Sequence, residues 1–195
     1  MKKSLLAALL AVALVVPVFA ADNGDMEADV KVGVVLTETI DVDGVSGYDD
    51  MDTAFSLGAD FFYYVDPAVA IGLGVDHIFN SEIKNSYDSK MGFTNIYAQV
   101  KPVIDLENDI FNNIYFLGQV GYGITHVDSD WAEVSSNGLY WGIGVGTTIK
   151  ENFIAELVYS TNYATIEIDF GIGGKYELDA TYSALKLNLG YKFSL

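Results

Sequence analysis

Cysteine is absent from the 195 residues, which excludes a lipoprotein anchor and the disulfides on which small secreted domains rely. Arginine is absent as well, and ten lysines face 27 acidic residues. A chain this acidic repels nucleic acid and bare anionic headgroups, except through bridging divalent cations. There are two histidines, and no metal-type His/Cys cluster, phosphate-binding glycine loop or nucleophile elbow. No cofactor is therefore expected. Long apolar runs are scarce too. The single one, from Leu5 to Val16, is shorter than the roughly 20 residues of a membrane-spanning helix. Gly, Asp or Lys interrupts every later apolar stretch.

That early run has the flanks of an export signal. Lys2 and Lys3 precede it, and Pro17 and the small-residue pattern Val18-Phe19-Ala20 follow. Residues 1–20 are expected to be a signal peptide cleaved after Ala20, leaving 21–195 as one domain. The mature chain would hold eight lysines against 27 acids, a formal charge of −19.

What the chain has in quantity is alternation. From Leu185 to Leu195 every odd residue is apolar or aromatic and every even one is polar or glycine, the mark of a strand with one greasy and one wet face. Eight segments are long enough to cross a bilayer, which takes about 9–11 residues of strand: 29–37, 53–64, 68–79, 92–103, 113–125, 139–149, 153–162 and 183–195. Short connections (65–67, 104–112, 150–152) follow the second, fourth and sixth. Long ones follow the first, third, fifth and seventh. This is the rhythm of periplasmic turns and extracellular loops, and it places both termini in the periplasm. The last long connection, 163–182, alternates as well, but its two halves have only about seven residues each, too few to cross. It is expected to project as a hairpin with its tip at 171–174. Its apolar parity is flipped, and bulges where the seventh and eighth strands leave the bilayer would account for that. Ten strands is the alternative.

One face of these segments carries no Asp, Glu or Lys. It holds Val30, Val32, Phe55, Leu57, Ile71, Leu73, Ile96, Phe116, Ile143 and Leu157, among others, with aromatics gathered at both ends. A lysine at the midplane of such a face would cost roughly 2–4 kcal/mol. A soluble sandwich or lipocalin-like barrel offers no reason for two aromatic rims. The other face holds Asp29, Lys31, Asp60, Asp76, Lys101, Glu156, Lys186 and Lys192, four acids and four bases. An eight-stranded barrel is just wide enough for side chains to fill it, so these charges are expected to pair inside a plugged lumen. A narrow ion path along them is the rival. Gly142, Gly144 and Gly146 share one face and would relieve crowding there.

Chemistry beyond this is faint. His126 precedes Asp128, Ser129, Asp130 and Glu133, the residue types of a lipid-facing hydrolase. On a strand, however, His126 and Ser129 point to opposite faces, so catalysis is not expected, and His77 and His126 read as rim residues. The first loop, residues 38–52, has no basic residue. Asp41, Asp43, Asp49, Asp50 and Asp52 are its candidates for a divalent cation, although Val45 and Ser46 occupy positions where a calcium loop needs a ligand and a glycine. The alternative is a solvated acidic loop.

The terminal stretch resembles the assembly signal of outer-membrane β-barrels, through Asn188, Gly190, Phe193 and Leu195. With the strand count and loop rhythm, the chain resembles the small eight-stranded barrels of the outer membrane protein β-barrel domain family, the group of the OmpA transmembrane domain, OmpX and the opacity-type proteins. The resemblance implies an all-β, transmembrane antiparallel up-and-down barrel in the cell outer membrane. It also implies outer-membrane lipid, lipopolysaccharide and the barrel assembly machinery as partners, and a role in envelope integrity, adhesion or ligand interaction through loops such as 38–52 and 163–182. The alternatives are a narrow porin-like channel and, behind it, a lipid A-modifying enzyme.

Overall fold

Period-two alternation carries through to three dimensions as a single closed sheet. The computed structural model describes residues 24–42, 49–50, 53–82, 90–106, 108, 110–128, 135–150, 152–169 and 175–195. The expected signal peptide and its cleavage site lie outside these residues. The strands are β1 (Met26–Val42), β2 (Asp49–Asp50), β3 (Phe55–Asp66), β4 (Val69–Glu82), β5 (Lys90–Asp105), β6 (Phe111–Asp128), β7 (Ser135–Ile149), β8 (Phe153–Asp169) and β9 (Lys175–Ser194). Each of β1 and β3–β9 pairs antiparallel with its neighbour in sequence, and β9 returns to β1. Eight strands thus close a barrel with no free edge around its waist. The two-residue β2 only folds back on the end of β1. Among the described residues there is no helix.

Turns of two to five residues, at 67–68, 106–110 and 150–152, gather at the end that also holds the start of β1 and the end of β9. The opposite end carries the long connections. Lys150, in one of the short turns, has φ of 47°, a left-handed conformation that costs a residue with a Cβ about 1–2 kcal/mol. The strands outrun the bilayer requirement: β9 has 20 residues and β1 and β8 have 17 each.

The surplus is at the loop end, where the structure corrects the expected bulges. The β8–β9 ladder runs without a register shift from Phe153↔Tyr191 to Asp169↔Lys175. Parity flips in the sequence because the apolar residues change sides, not because the backbone does: Ala180, Tyr182 and Ala184 point inward and are buried. The β9 ladder is bulged instead on its other side, in β1, where Val35 pairs with Lys186 and Thr37 with Leu185, so that two residues of β1 oppose one of β9. Val35 is buried before the bulge, and Glu38 and Ile40 after it.

The interior is layered. At the loop end Val35, Ile40, Ala54, Ile78, Phe93, Tyr182 and Ala184 form an apolar cluster, with the Phe93 and Tyr182 rings stacked 4.0 Å apart. Towards the turn end Phe62, Ala70, Val103, Tyr115, Leu117 and Val158 form another. Polar and charged side chains fill the waist. Glycines make room for them. A Cβ on Gly146 would lie 2.4 Å from the Tyr115 ring, and one on Gly74 would lie 2.1 Å from Asp60 Oδ1.

Candidate functional site

The lumen holds the densest chemistry. Asp29, Lys31, Asp60, Asp76, Lys101, Glu156 and Lys186 are all buried there, and Lys192 is half-buried at the turn-end mouth. Three lysines organise them. Lys31 bonds to Asp60 and, at 2.9 Å, to Glu156. Lys186 bonds to Asp76. Lys101 bonds to Glu27 and lies 3.8 Å from Asp29. Its ammonium also sits 4.3 Å and 4.4 Å from the ring centroids of Phe62 and Tyr115, where the ring faces attract it. Tyr97 donates to Asp60 and Tyr115 to Glu156, while Tyr140 donates to Gln119, which donates to Gln99.

Two carboxylates enlarge the expected set. Glu27 continues the inward alternation of Asp29 and Lys31 and accepts from both Lys101 and Tyr64. Its odd-numbered spacing was the available signal. Glu38, expected in the first loop, belongs to β1 and is buried. The described lumen therefore holds six buried carboxylates against three buried lysines and Lys192, rather than four of each. Asp29, Asp60 and Glu156 bring oxygens within 4.8 Å of one another, the spacing of a metal site. Lys31 already supplies the positive charge to two of them, so the group reads as an ion-pair network.

Other candidates fare differently. Asp41 is exposed at the end of β1, Asp49 and Asp50 form β2, and Asp43 and Asp52 lie outside the described residues. Ser129, Asp130 and Glu133 lie outside them too. Asn188 points inward and reaches Glu156 at 3.4 Å. Gly190 packs where a Cβ would meet Val30 O at 2.5 Å. Phe193 and Leu195 face outward. His77 and His126, read from sequence as unrelated rim residues, both contact Thr94 Oγ1 at 2.9 Å on the outward face. Sequence gives no sign of this, because it depends on the register of three strands.

The outward face is a belt of exposed apolar side chains, with Val32 at 60% and Leu73 at 60% exposure. Among the described side chains, exposed charges sit only at strand ends, in turns or on the β8–β9 extension: Asp25, Asp41, Asp66, Asp105, Lys150 and Asp179. Aromatics bound the belt, with Trp141 against Tyr159 near one end and Phe153 against Tyr191 near the other. The profile of the family described as "Outer membrane protein beta-barrel domain" matches residues 5–193. The chain belongs to this family. For an outer-membrane barrel the belt is the lipid-facing surface and the layered interior is the lumen.

Solved structures include barrels similar to this chain. Neisserial surface protein A (NspA) is 13% identical with a TM-score of 0.57, the match covering 88% of this chain and 100% of that one. Ail, the attachment invasion locus protein of Yersinia pestis, is 18% identical with a TM-score of 0.49, covering 86% and 98%. The N-terminal β-barrel domain of Pseudomonas aeruginosa OprF is 12% identical with a TM-score of 0.46, covering 88% and 100%. No curated protein matches the sequence.

Proposed function

We propose that this barrel is a non-enzymatic surface protein, an anchor that displays its acidic long loops outside the cell while both termini face the periplasm. The observation that carries the reading is the filled lumen. Lys31, Lys101 and Lys186 are each held by carboxylates, and apolar clusters pack at the loop end and around Lys101 towards the turn end, which supports a plug over an ion path. The loop end is then where a partner can be met. The aspartates of residues 41–52 supply carboxylates for divalent cations that bridge lipopolysaccharide or a ligand. Residues 163–182 carry β8 and β9 beyond the barrel. Among the described residues the β7–β8 ladder ends at Tyr140↔Asn162 while β8 continues to Asp169, and the far end of β8 is a strand edge that a partner could extend. The terminal strand, with Asn188, Gly190, Phe193 and Leu195, is read by the assembly machinery during insertion.

Single-channel recording tests the reading directly. Folded protein in a planar bilayer, its folding verified by the shift in gel mobility on heating, is expected to be silent. Reproducible conductance steps, altered in ion selectivity by Lys101→Ala or Asp76→Ala, would replace the anchor with a narrow channel.

A further inference from the structure

On the outward face one residue from each of three adjacent strands joins a hydrogen-bonded row: His77 of β4, Thr94 of β5 and His126 of β6. His77 pairs directly with Thr94 across the ladder, and His126 stands opposite Gly92. Lacking a side chain, Gly92 leaves the His126 imidazole room to lean onto Thr94. Phe79 packs edge-on against His77 at 4.8 Å and fixes its ring. Below the row, on the same face, lies a concave apolar groove of about 590 Å³, lined by Leu57, Leu73, Val75, Ile96, Ala98 and Tyr122, with His77 and Thr94 in its wall. Its volume is that of a small-molecule pocket, roughly 300–1,000 Å³. A polar row at one end of an apolar trough on a lipid-facing wall has the shape of a lipid: head above, chain below.

Proton counting narrows the head. Thr94 has one hydroxyl proton and two lone pairs, so it must accept an N–H from at least one imidazole; when its proton stays within the row it donates to one imidazole and accepts from the other. With both rings neutral, the ring that donates to Thr94 keeps its second nitrogen as an acceptor, and the ring that accepts keeps an N–H on its own. His77 Nε2 and His126 Nδ1 therefore offer one donor and one acceptor. That pair complements a hydroxyl. It suits an ionised phosphate poorly, since phosphate wants donors and cations, and among the described side chains no lysine stands on this face. Thr94 itself is only 5% exposed beneath the rings, too covered to be attacked by or to attack a carbonyl, so the row is a binding element and not a nucleophile.

We propose that this face holds one lipid A molecule by a hydroxylated acyl chain, with the chain in the groove and its hydroxyl on the free nitrogens of His77 and His126. The proposal rests on the reading that the long loops face outward, which puts the row in the leaflet where lipid A resides.

The test uses the folded full-length protein in nanodiscs of phosphatidylcholine doped with purified lipid A, or with a synthetic lipid A whose acyl chains lack the hydroxyls. Native mass spectrometry reads the lipid retained on release. One hydroxylated lipid A per barrel is expected, with about a tenfold preference over the analogue, the scale of one or two hydrogen bonds. His77→Phe and Thr94→Val should each erase the preference, and Ala98→Phe, which fills the groove, should abolish retention of both lipids. Heat-shifted gel mobility verifies that each variant is folded. Equal retention of the two lipids by the native protein, or unaltered retention by Ala98→Phe, overturns the proposal. Ser46→Cys, labelled on intact cells by an impermeant maleimide, separates the two ideas. Labelling without lipid preference sinks the lipid site alone, and absence of labelling sinks the outward-loop reading together with it.

Discussion

Lys186 and Asp76 form an ion pair across the lumen although 110 residues separate them in the chain. Neither strand touches the other in the sheet, so the contact exists only because the barrel closes. Lys186→Met leaves the Asp76 carboxylate buried without its cation, and a broken buried pair costs about 3–5 kcal/mol. Adding Asp76→Leu removes the orphaned charge and should recover most of that loss. Urea unfolding in lipid vesicles measures both. A double variant no more stable than the single would show that the pair is not a unit.

Gly146 and Tyr115 make a second reciprocal fit, in volume instead of charge. The Tyr115 ring fills the space above Gly146, which lets its hydroxyl donate to Glu156 at 3.0 Å. Gly146→Ala forces the ring aside and should destabilise the barrel by about 1–3 kcal/mol, the usual cost of overpacking. Tyr115→Leu in the same chain clears the clash. If the second change fails to soften the effect of the first, some other contact at Gly146 is responsible.

Much of this was legible in the sequence, because burial on one side of a sheet imposes period two. The alternation Asp29, Lys31 on β1 and the charge-free odd positions from Leu185 onward name their faces without any structure. Legibility fails where a feature depends on pairing. The flip at Ala180 and Tyr182 looked like a backbone irregularity, since both a bulge and an apolar layer inside the loop-end lumen reverse parity. Glu38 was read as loop because the strand continues past a bulge. The His77–Thr94–His126 row needs two ladder registers at once, and cross-strand register is set by turns and bulges that leave little trace in composition.

The turn at Lys150 offers a gain in stability. With φ at 47° it sits where glycine is free of the penalty a Cβ incurs. Lys150→Gly should raise the unfolding free energy by about 0.5–1 kcal/mol, after the added freedom of the unfolded chain is set against the relieved strain. Lys150→Val should lower it, since a β-branched side chain fits this region worst. Equal midpoints for native and Val variants would mean that the turn relaxes.

The β1 bulge yields the sharpest test of how register is held. Leu36 is the unpaired residue between Val35↔Lys186 and Thr37↔Leu185. Deleting it joins two regular ladders, so Glu38 and Ile40 keep their inward places and Thr37 keeps its partner. The shortened chain is expected to fold, with its heat-shifted mobility intact. Inserting one residue after Leu36 has the opposite effect. To hold the loop-end ladder it must form a wider bulge; to stay regular it keeps Glu38 and Ile40 inward but slides the ladder by two residues, setting Thr37 opposite Ser183 instead of Leu185. Sliding the pairs from Thr37 to Val42 along β9, which moves the Glu38 carboxylate from the level of Ala184 to that of the Tyr182 ring, should cost more than one lost residue. Deletion tolerated and insertion destabilising is therefore the expected pair of outcomes in vesicle refolding. If both variants refold equally well, the pairing of Thr37 with Leu185 is not what sets the register of β1 against β9.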